Sequence, residues 1–271
     1  DDITICKDLG SGSFGNVSLV YHKTDGEFYA LKEQKKQQLV DSNLALSVIR
    51  EKNIMASIKH PFIINLVSTF QTQDSLYMML GVIQGGELYD FIYPEGRDPG
   101  IPDRTWIPFY TACIFESLSH CHSLCIAYRD LKPENIMLDK FGYCVLIDFG
   151  FAKVVMDKTF TMCGTPEYLA PEVLLQKGYN QSVDDWGLAI LIYEMFAGHT
   201  PFYKTNIGEM DLFRGIVRCR FGFPSYGEFT PTSRDIISKV LMRNPAIRLG
   251  GLAHGSSDIR NHDYFASIDW E

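Results

Sequence analysis

An α+β chain of two unequal lobes, the first small and β-rich and the second larger and helical, is what the sequence predicts from three observations. Residues 1 to about 80 alternate short β-branched and aromatic runs with one segment of helical periodicity. The remainder carries mostly helical patterns, among them Pro102 to Ser123 and the apolar run Trp186 to Ala197, which reads as a buried central helix. Between the two, Leu76-Tyr77-Met78-Met79-Leu80 reads as a last strand and Gly85-Gly86 breaks the pattern. One domain over 1–271 is therefore expected, with a small lobe at 1–80, a hinge at 81–84 and a large lobe at 85–271.

In chain order, Leu9-Gly10-Ser11-Gly12-Ser13-Phe14-Gly15-Asn16-Val17 reads as a glycine-rich hairpin whose bare backbone can approach phosphate oxygens. A dinucleotide-binding loop would have to open a helix, whereas Val17-Ser18-Leu19-Val20-Tyr21 continues as a strand. Phe28-Tyr29-Ala30-Leu31-Lys32 is a short apolar strand ending in a lysine. The segment Ser42 to Ile58, apolar at Leu46, Ile49, Ile54 and Ile58, reads as a helix with Glu51 in its middle. Either charge alone is ordinarily a solvated surface group; their order in the chain makes them a candidate pair.

Further on, Tyr128-Arg129-Asp130-Leu131-Lys132-Pro133-Glu134-Asn135 is followed by the strand-like Val145-Leu146-Ile147 running into Asp148-Phe149-Gly150. Two adjoining loops thereby gather the groups that phosphoryl transfer requires. A carboxylate must orient an acceptor hydroxyl and take its proton, and Mg²⁺ needs hard oxygen ligands such as the Asp148 carboxylate and the Asn135 amide. In this order the motifs resemble those of the protein kinases. The stretch Thr159-Phe160-Thr161-Met162-Cys163-Gly164-Thr165-Pro166-Glu167-Tyr168-Leu169-Ala170-Pro171-Glu172 is similar to the activation and substrate-docking segments of the AGC group. The resemblance covers essentially the whole chain. Phe109-Tyr110-Thr111-Ala112-Cys113, Asn244-Pro245 before Arg248-Leu249-Gly250, and Asp258 to His262 with Asp269-Trp270 draw it toward the cyclic-GMP-dependent catalytic domain, the cyclic-AMP-dependent catalytic subunit being the alternative.

That resemblance implies a bilobal protein-kinase fold and a serine/threonine kinase using ATP and Mg²⁺. It implies catalytic roles for Asp130, Lys132, Lys32 and Glu51, with Lys32 holding phosphates and Glu51 holding Lys32. The nucleotide site would comprise Leu9, Gly10, Ser11, Gly12, Ser13, Phe14, Gly15, Asn16 and Val17, with Lys32, the gatekeeper Leu80, Gly81, Ile83, Glu87 and Asn135. Asn135 and Asp148 would be the metal ligands. Thr161 would be the regulatory phosphosite, bound by Arg129 and Lys153, while Thr165 would contact the catalytic loop and Glu172 would pair with Arg248. Glu87, Glu134 and Glu194, with Thr165, would bind substrates carrying basic residues before the acceptor, and Lys132 marks the serine/threonine class. A cyclic-nucleotide-binding regulatory domain is expected outside this chain. A pseudokinase scaffold is the other reading, although none of Lys32, Glu51, Asp130, Lys132, Asn135 and Asp148 has been lost.

Three positions depart from the family pattern: Gly81 where an acidic residue is usual, Ser47 where a histidine is usual, and Asp185 where an aromatic is usual. The chain opens on Asp1 rather than Met and ends at Glu271, before the tail of AGC kinases, so an excised domain is expected.

Composition limits the alternatives. With 46% hydrophobic residues over 271, the chain can bury a sizeable core. A net charge of −8 argues against non-specific nucleic-acid binding and favours cationic partners. Seven cysteines, mostly in apolar segments, suit reduced thiols and a cytoplasmic setting. The His120-Cys121-His122 cluster with Cys125 lacks a second pair to complete a tetrahedral metal site. The glycosylation patterns at Asn16 and Asn180 read as chance, and no apolar run approaches the ~20 residues of a membrane span.

Overall fold

The computed structural model of the protein describes residues 2–12 and 15–270, with the backbone alone at Ser11 and Gly12. Ser13 and Phe14 of the glycine-rich hairpin lie outside the described residues. The small lobe is built from β1 (Ile3–Gly12), β2 (Gly15–His22), β3 (Glu27–Lys35), α1 (Lys36–Asp41), α2 (Ala45–Ser57), β4 (Leu66–Gln71) and β5 (Ser75–Gly81). Its antiparallel sheet runs β1-β2-β3-β5-β4. The two-residue period of a strand sorts the side chains between faces. Val20, Leu31 and Met79 form a small outer cluster, while Ala30, Met78 and Leu80 join the main core. Lys32, two residues after Ala30, is therefore directed to the same side as that core.

The helix carrying Glu51 is shorter than the expected Ser42–Ile58, and it is rotated. Asn43 takes φ 55° and Leu44 donates its N–H to the Leu39 carbonyl, so a turn occupies residues 42–44. The buried stripe is Val48, Glu51, Ile54 and Met55, whereas Leu46 and Ile49 are 75% and 51% exposed. A helix has one inward face, and the one that carries Glu51 toward Lys32 excludes Leu46 and Ile49.

The large lobe contains α3 (Leu88–Ile92), α4 (Ile107–Ser123), β6 (Ile126–Ala127), β7 (Ile136–Leu138), β8 (Cys144–Leu146), β9 (Lys153–Val154), α5 (Pro171–Leu174), α6 (Ser182–Ala197), α7 (Glu209–Arg218), α8 (Pro231–Val240) and α9 (Ser256–Arg260). The expected Pro102–Ser123 helix begins at Ile107, after a single 3₁₀ turn capped by Asp103. All of Val183 to Ala197 is buried, which makes α6 the centre of the lobe. It ends at Gly198, with φ 71° and with Pro99 so near that a Cβ would lie 2.2 Å from it, so both conformation and space demand glycine. Two pairings attach the lobes to the site: Ile64 N–H donates to the Leu146 carbonyl at 2.9 Å, and Leu146 N–H to the Phe62 carbonyl at 3.0 Å. Among the described residues no helix is long and apolar enough to cross a membrane.

Candidate active site

Lys32 stands on β3 opposite Val17 of β2 and Met78 of β5. Its Nζ lies 2.7 Å from Glu51 Oε1. Burial disfavours the ammonium, but Glu51 and Asp148 together hold its pKa above the ordinary lysine value. Beside it, β2 presses on β3 so closely that a Cβ on Gly15 would fall 1.6 Å from the Glu33 carbonyl oxygen, whereas one on Gly10 would meet open space. Leu80 is buried on β5 opposite Ala30. Gly81 ends that strand with its N–H on the Asn65 carbonyl at 3.0 Å, and Ile83 packs partly buried against the main core.

The catalytic-loop residues are held from the core side. Asp184, in the first turn of α6, accepts the N–H groups of Tyr128 and Arg129, both at 2.8 Å, and contacts His122 Nε2 at 2.8 Å. Burial opposes charge on His122, yet Asp184 and Asp185 hold its pKa above the usual imidazole value. Three partners thus satisfy a carboxylate that would be costly to bury alone. The clasp fixes Arg129 at φ 73°, a left-handed conformation unfavourable to residues with a Cβ. The following Asp130 is 6% exposed. Its Oδ2 accepts from Asn135 Nδ2 at 2.8 Å and lies 3.2 Å from Lys132 Nζ, while Oδ1 accepts from Thr165 Oγ1 at 3.0 Å. Asn135 Nδ2 also donates to the Asp130 carbonyl at 2.8 Å. Asp148 Oδ1 accepts the Gly150 N–H at 2.8 Å, and Phe149 beside it is fully buried, edge-on to Tyr128.

One cavity joins Gly15, Val17, Lys32, Ser47, Glu51, Arg129, Asp130, Lys132, Asp148 and Thr161. The Thr161 residue is exposed on its rim. Arg129 Nε donates to the Phe151 carbonyl at 2.7 Å and Nη1 to the Tyr179 hydroxyl at 3.1 Å. Lys153 Nζ instead donates to Thr159 Oγ1 at 2.9 Å. Away from the cleft, Arg248 and Glu172 form a two-pronged pair at 2.8 and 3.0 Å, with the Arg248 side chain wholly buried over the Trp186 ring.

The three acids expected to read basic substrates differ in surroundings. Glu87 and Glu134 are exposed, whereas Glu194 on α6 is 5% exposed and accepts hydroxyl hydrogen bonds from both Tyr93 and Tyr168. Burial pushes its carboxyl up to about 7, despite the two hydroxyls and with Glu167 and Glu134 adding to the shift.

The model of the family described as "Protein kinase domain" matches residues 3–265. The chain belongs to this family. Relatives include cAMP-dependent protein kinase type 3 of Saccharomyces cerevisiae, 43% identical over 270 residues, covering 100% of this chain and 66% of the relative. The human cAMP-dependent protein kinase catalytic subunit PRKX is 40% identical over 263 residues, covering 97% of this chain and 71% of the relative. Serine/threonine-protein kinase YPK2/YKR2 of S. cerevisiae is 41% identical over 274 residues, covering 100% of this chain and 39% of the relative. These place the chain as an AGC-group serine/threonine protein kinase domain that spans only part of the length of each relative.

Three residues of this kinase domain escaped sequence reasoning. Asp184 had a signal: two acids at the start of an otherwise apolar helix must find partners if the helix is buried. Tyr93 and Tyr179 had none, because each acts through its hydroxyl on a residue far away in sequence, 101 positions for Tyr93 to Glu194 and 50 for Tyr179 to Arg129. The departure Asp185 is buried next to Asp184, and burial pushes its carboxyl up to about 6.

Proposed function

We propose that this kinase domain transfers the γ-phosphoryl group of ATP to serine or threonine hydroxyls in proteins that carry arginines before the acceptor. The observation that supports this best is Asp130, with both oxygens held by neighbours and Lys132 at 3.2 Å, in a cleft shared with the Lys32–Glu51 pair. Asp130 orients the acceptor hydroxyl and takes its proton, and Lys132 offsets charge on the transferring group. Lys32 holds the α- and β-phosphates in a position set by Glu51. The Leu9–Val17 hairpin covers the phosphates, while Leu80, Gly81, Ile83 and Glu87 receive the nucleoside.

Protein kinase domains generally use ATP with Mg²⁺, and the donor set fits that ion. The Asn135 amide nitrogen is bonded to Asp130, which leaves its oxygen as a neutral ligand, and Gly150 holds one oxygen of the Asp148 carboxylate. Asn135 and Asp148 would hold Mg²⁺ there, and the ion would supply positive charge that offsets that of the phosphates. Glu87, Glu134 and Glu194 with Thr165 form the basic-substrate groove, and phosphorylation of Thr161 orders the activation segment through Arg129.

On control, two of the three named relatives, the cAMP-dependent kinases of yeast and human, favour the cyclic-AMP alternative over the cyclic-GMP assignment drawn from the sequence. A cyclic-nucleotide-binding regulatory partner is accordingly proposed, and inhibition by it should be relieved by cyclic AMP at lower concentration than by cyclic GMP.

Phosphotransfer from Mg-ATP to an Arg-Arg-x-Ser peptide tests the reading and separates it from a pseudokinase scaffold. Asp130→Asn should keep nucleotide binding and lose turnover by roughly a hundredfold or more. Asp148→Ala should abolish metal-dependent nucleotide binding. Normal turnover in either variant would refute the assignment.

A further inference from the structure

Tyr179 lies in the segment that connects α5 to α6, where it forms an isolated antiparallel bridge with Thr159, outside the groups assigned to phosphotransfer. Its backbone exchanges two hydrogen bonds with the activation segment: Thr159 N–H donates to the Tyr179 carbonyl at 2.8 Å, and Tyr179 N–H to the Thr159 carbonyl at 2.9 Å. Its hydroxyl donates to the Thr161 carbonyl at 2.5 Å and accepts from Arg129 Nη1 at 3.1 Å. Arg129 is in turn fixed by the Phe151 carbonyl and by Asp184. A closed circuit of the chain's own groups therefore runs from the catalytic loop through residues 151–161 to Tyr179 and back. Tyr179 is 5% exposed. Burial pushes the phenol up to about 12 against the pull of Arg129, so it keeps the proton that it donates.

We propose that Tyr179 is a positioning residue whose hydroxyl holds Arg129 against the activation segment through bonds that need no phosphate, and thereby sets how strongly activity depends on phosphorylation of Thr161. This rests on the proposed roles of Thr161 and Arg129. With the hydroxyl in place, Arg129 is already oriented toward the segment. Without it, one arm of the guanidinium lacks its acceptor and the Thr161 carbonyl lacks its donor, so a phosphate at Thr161 becomes the principal anchor.

Tyr179→Phe retains the buried ring and removes only the oxygen. The variant and the wild type would each be prepared with Thr161 unmodified and with Thr161 phosphorylated, the state verified by mass spectrometry. Trypsin cleavage after the exposed Lys158 reports order in the segment, and peptide phosphorylation reports kcat and the KM for ATP. In the unmodified form, Tyr179→Phe should be cleaved about tenfold faster and lose about tenfold in kcat, with KM for ATP within about twofold, on the scale of one hydrogen bond to a charged group. Phosphorylation of Thr161 should restore both, which it would not do for a general loss of packing. Equal cleavage of the unmodified variant and wild type, or a loss that persists undiminished after phosphorylation, overturns the proposal. Failure of the Thr161 reading looks different: phosphate on the wild type changes neither readout, while the variant is still cleaved faster.

Discussion

Glu194 shows how much a single residue's surroundings decide. Burial pushes its carboxyl up to about 7, with Glu167 and Glu134 adding to the shift and the Tyr93 and Tyr168 hydroxyls opposing it. A carboxyl whose folded pKa is raised is favoured in its protonated form, so its contribution to stability is largest at low pH and declines as pH rises from the ordinary value through about 7. Arginine binding needs the opposite form, the carboxylate. The affinity for peptides with arginines before the acceptor should therefore rise between pH 6 and 8, by roughly tenfold over the whole range as the carboxylate fraction grows. Glu194→Gln should weaken binding and flatten the profile. A wild-type KM independent of pH across that range would contradict the role given to Glu194. The sequence showed the acid but not its state, since the hydroxyls of Tyr93 and Tyr168 reach it only in the fold.

At the scale of elements, patterns that depend on neighbours in sequence were legible and rotations were not. The apolar strands β3 and β5 and the apolar run of α6 were readable because each is a contiguous local pattern. For α2, periodicity pointed to Leu46 and Ile49, yet the helix turns its Glu51 face inward, a choice made by Lys32 on another element. The glycine hairpin shows the same limit. Its glycines look equivalent in sequence, but Gly15 is required by the close approach of β3 and Gly10 is not. Gly15→Ala should separate β2 from β3, lowering Tm by roughly 5 °C and weakening ATP binding, whereas Gly10→Ala should leave Tm within about a degree. Equal melting of the two variants would show that the hairpin yields without cost.

For the whole molecule, the decisive contacts join distant parts of the chain. The pair Glu172 and Arg248 was anticipated from the family pattern alone, and no local signal marks either partner. Arg248 is fully buried with its guanidinium on Glu172, the Ser182 and Met242 carbonyls and the Trp186 face. Glu172→Ala should leave that charge uncompensated at a cost of about 3–5 kcal/mol, lowering Tm by roughly 10 °C. Replacing both partners by apolar residues should recover much of the loss, and thermal unfolding of the single and double variants would check it. A double variant as unstable as the single would mean that the carbonyl contacts, rather than the unpaired charge, dominate.

The Asp184 clasp ties the chemistry to the most deeply buried helix of the chain. Because one carboxylate on α6 receives the amides of both Tyr128 and Arg129, those amides are shielded from solvent until α6 parts from the loop. The loop that carries Asp130 thus inherits the durability of the core, whereas the segment around Thr161 lies at the surface and is held by a handful of hydrogen bonds through Tyr179 and Lys153. Heat that stills this enzyme by disturbing the segment should be forgiven on cooling; heat that frees the loop has already melted the interior.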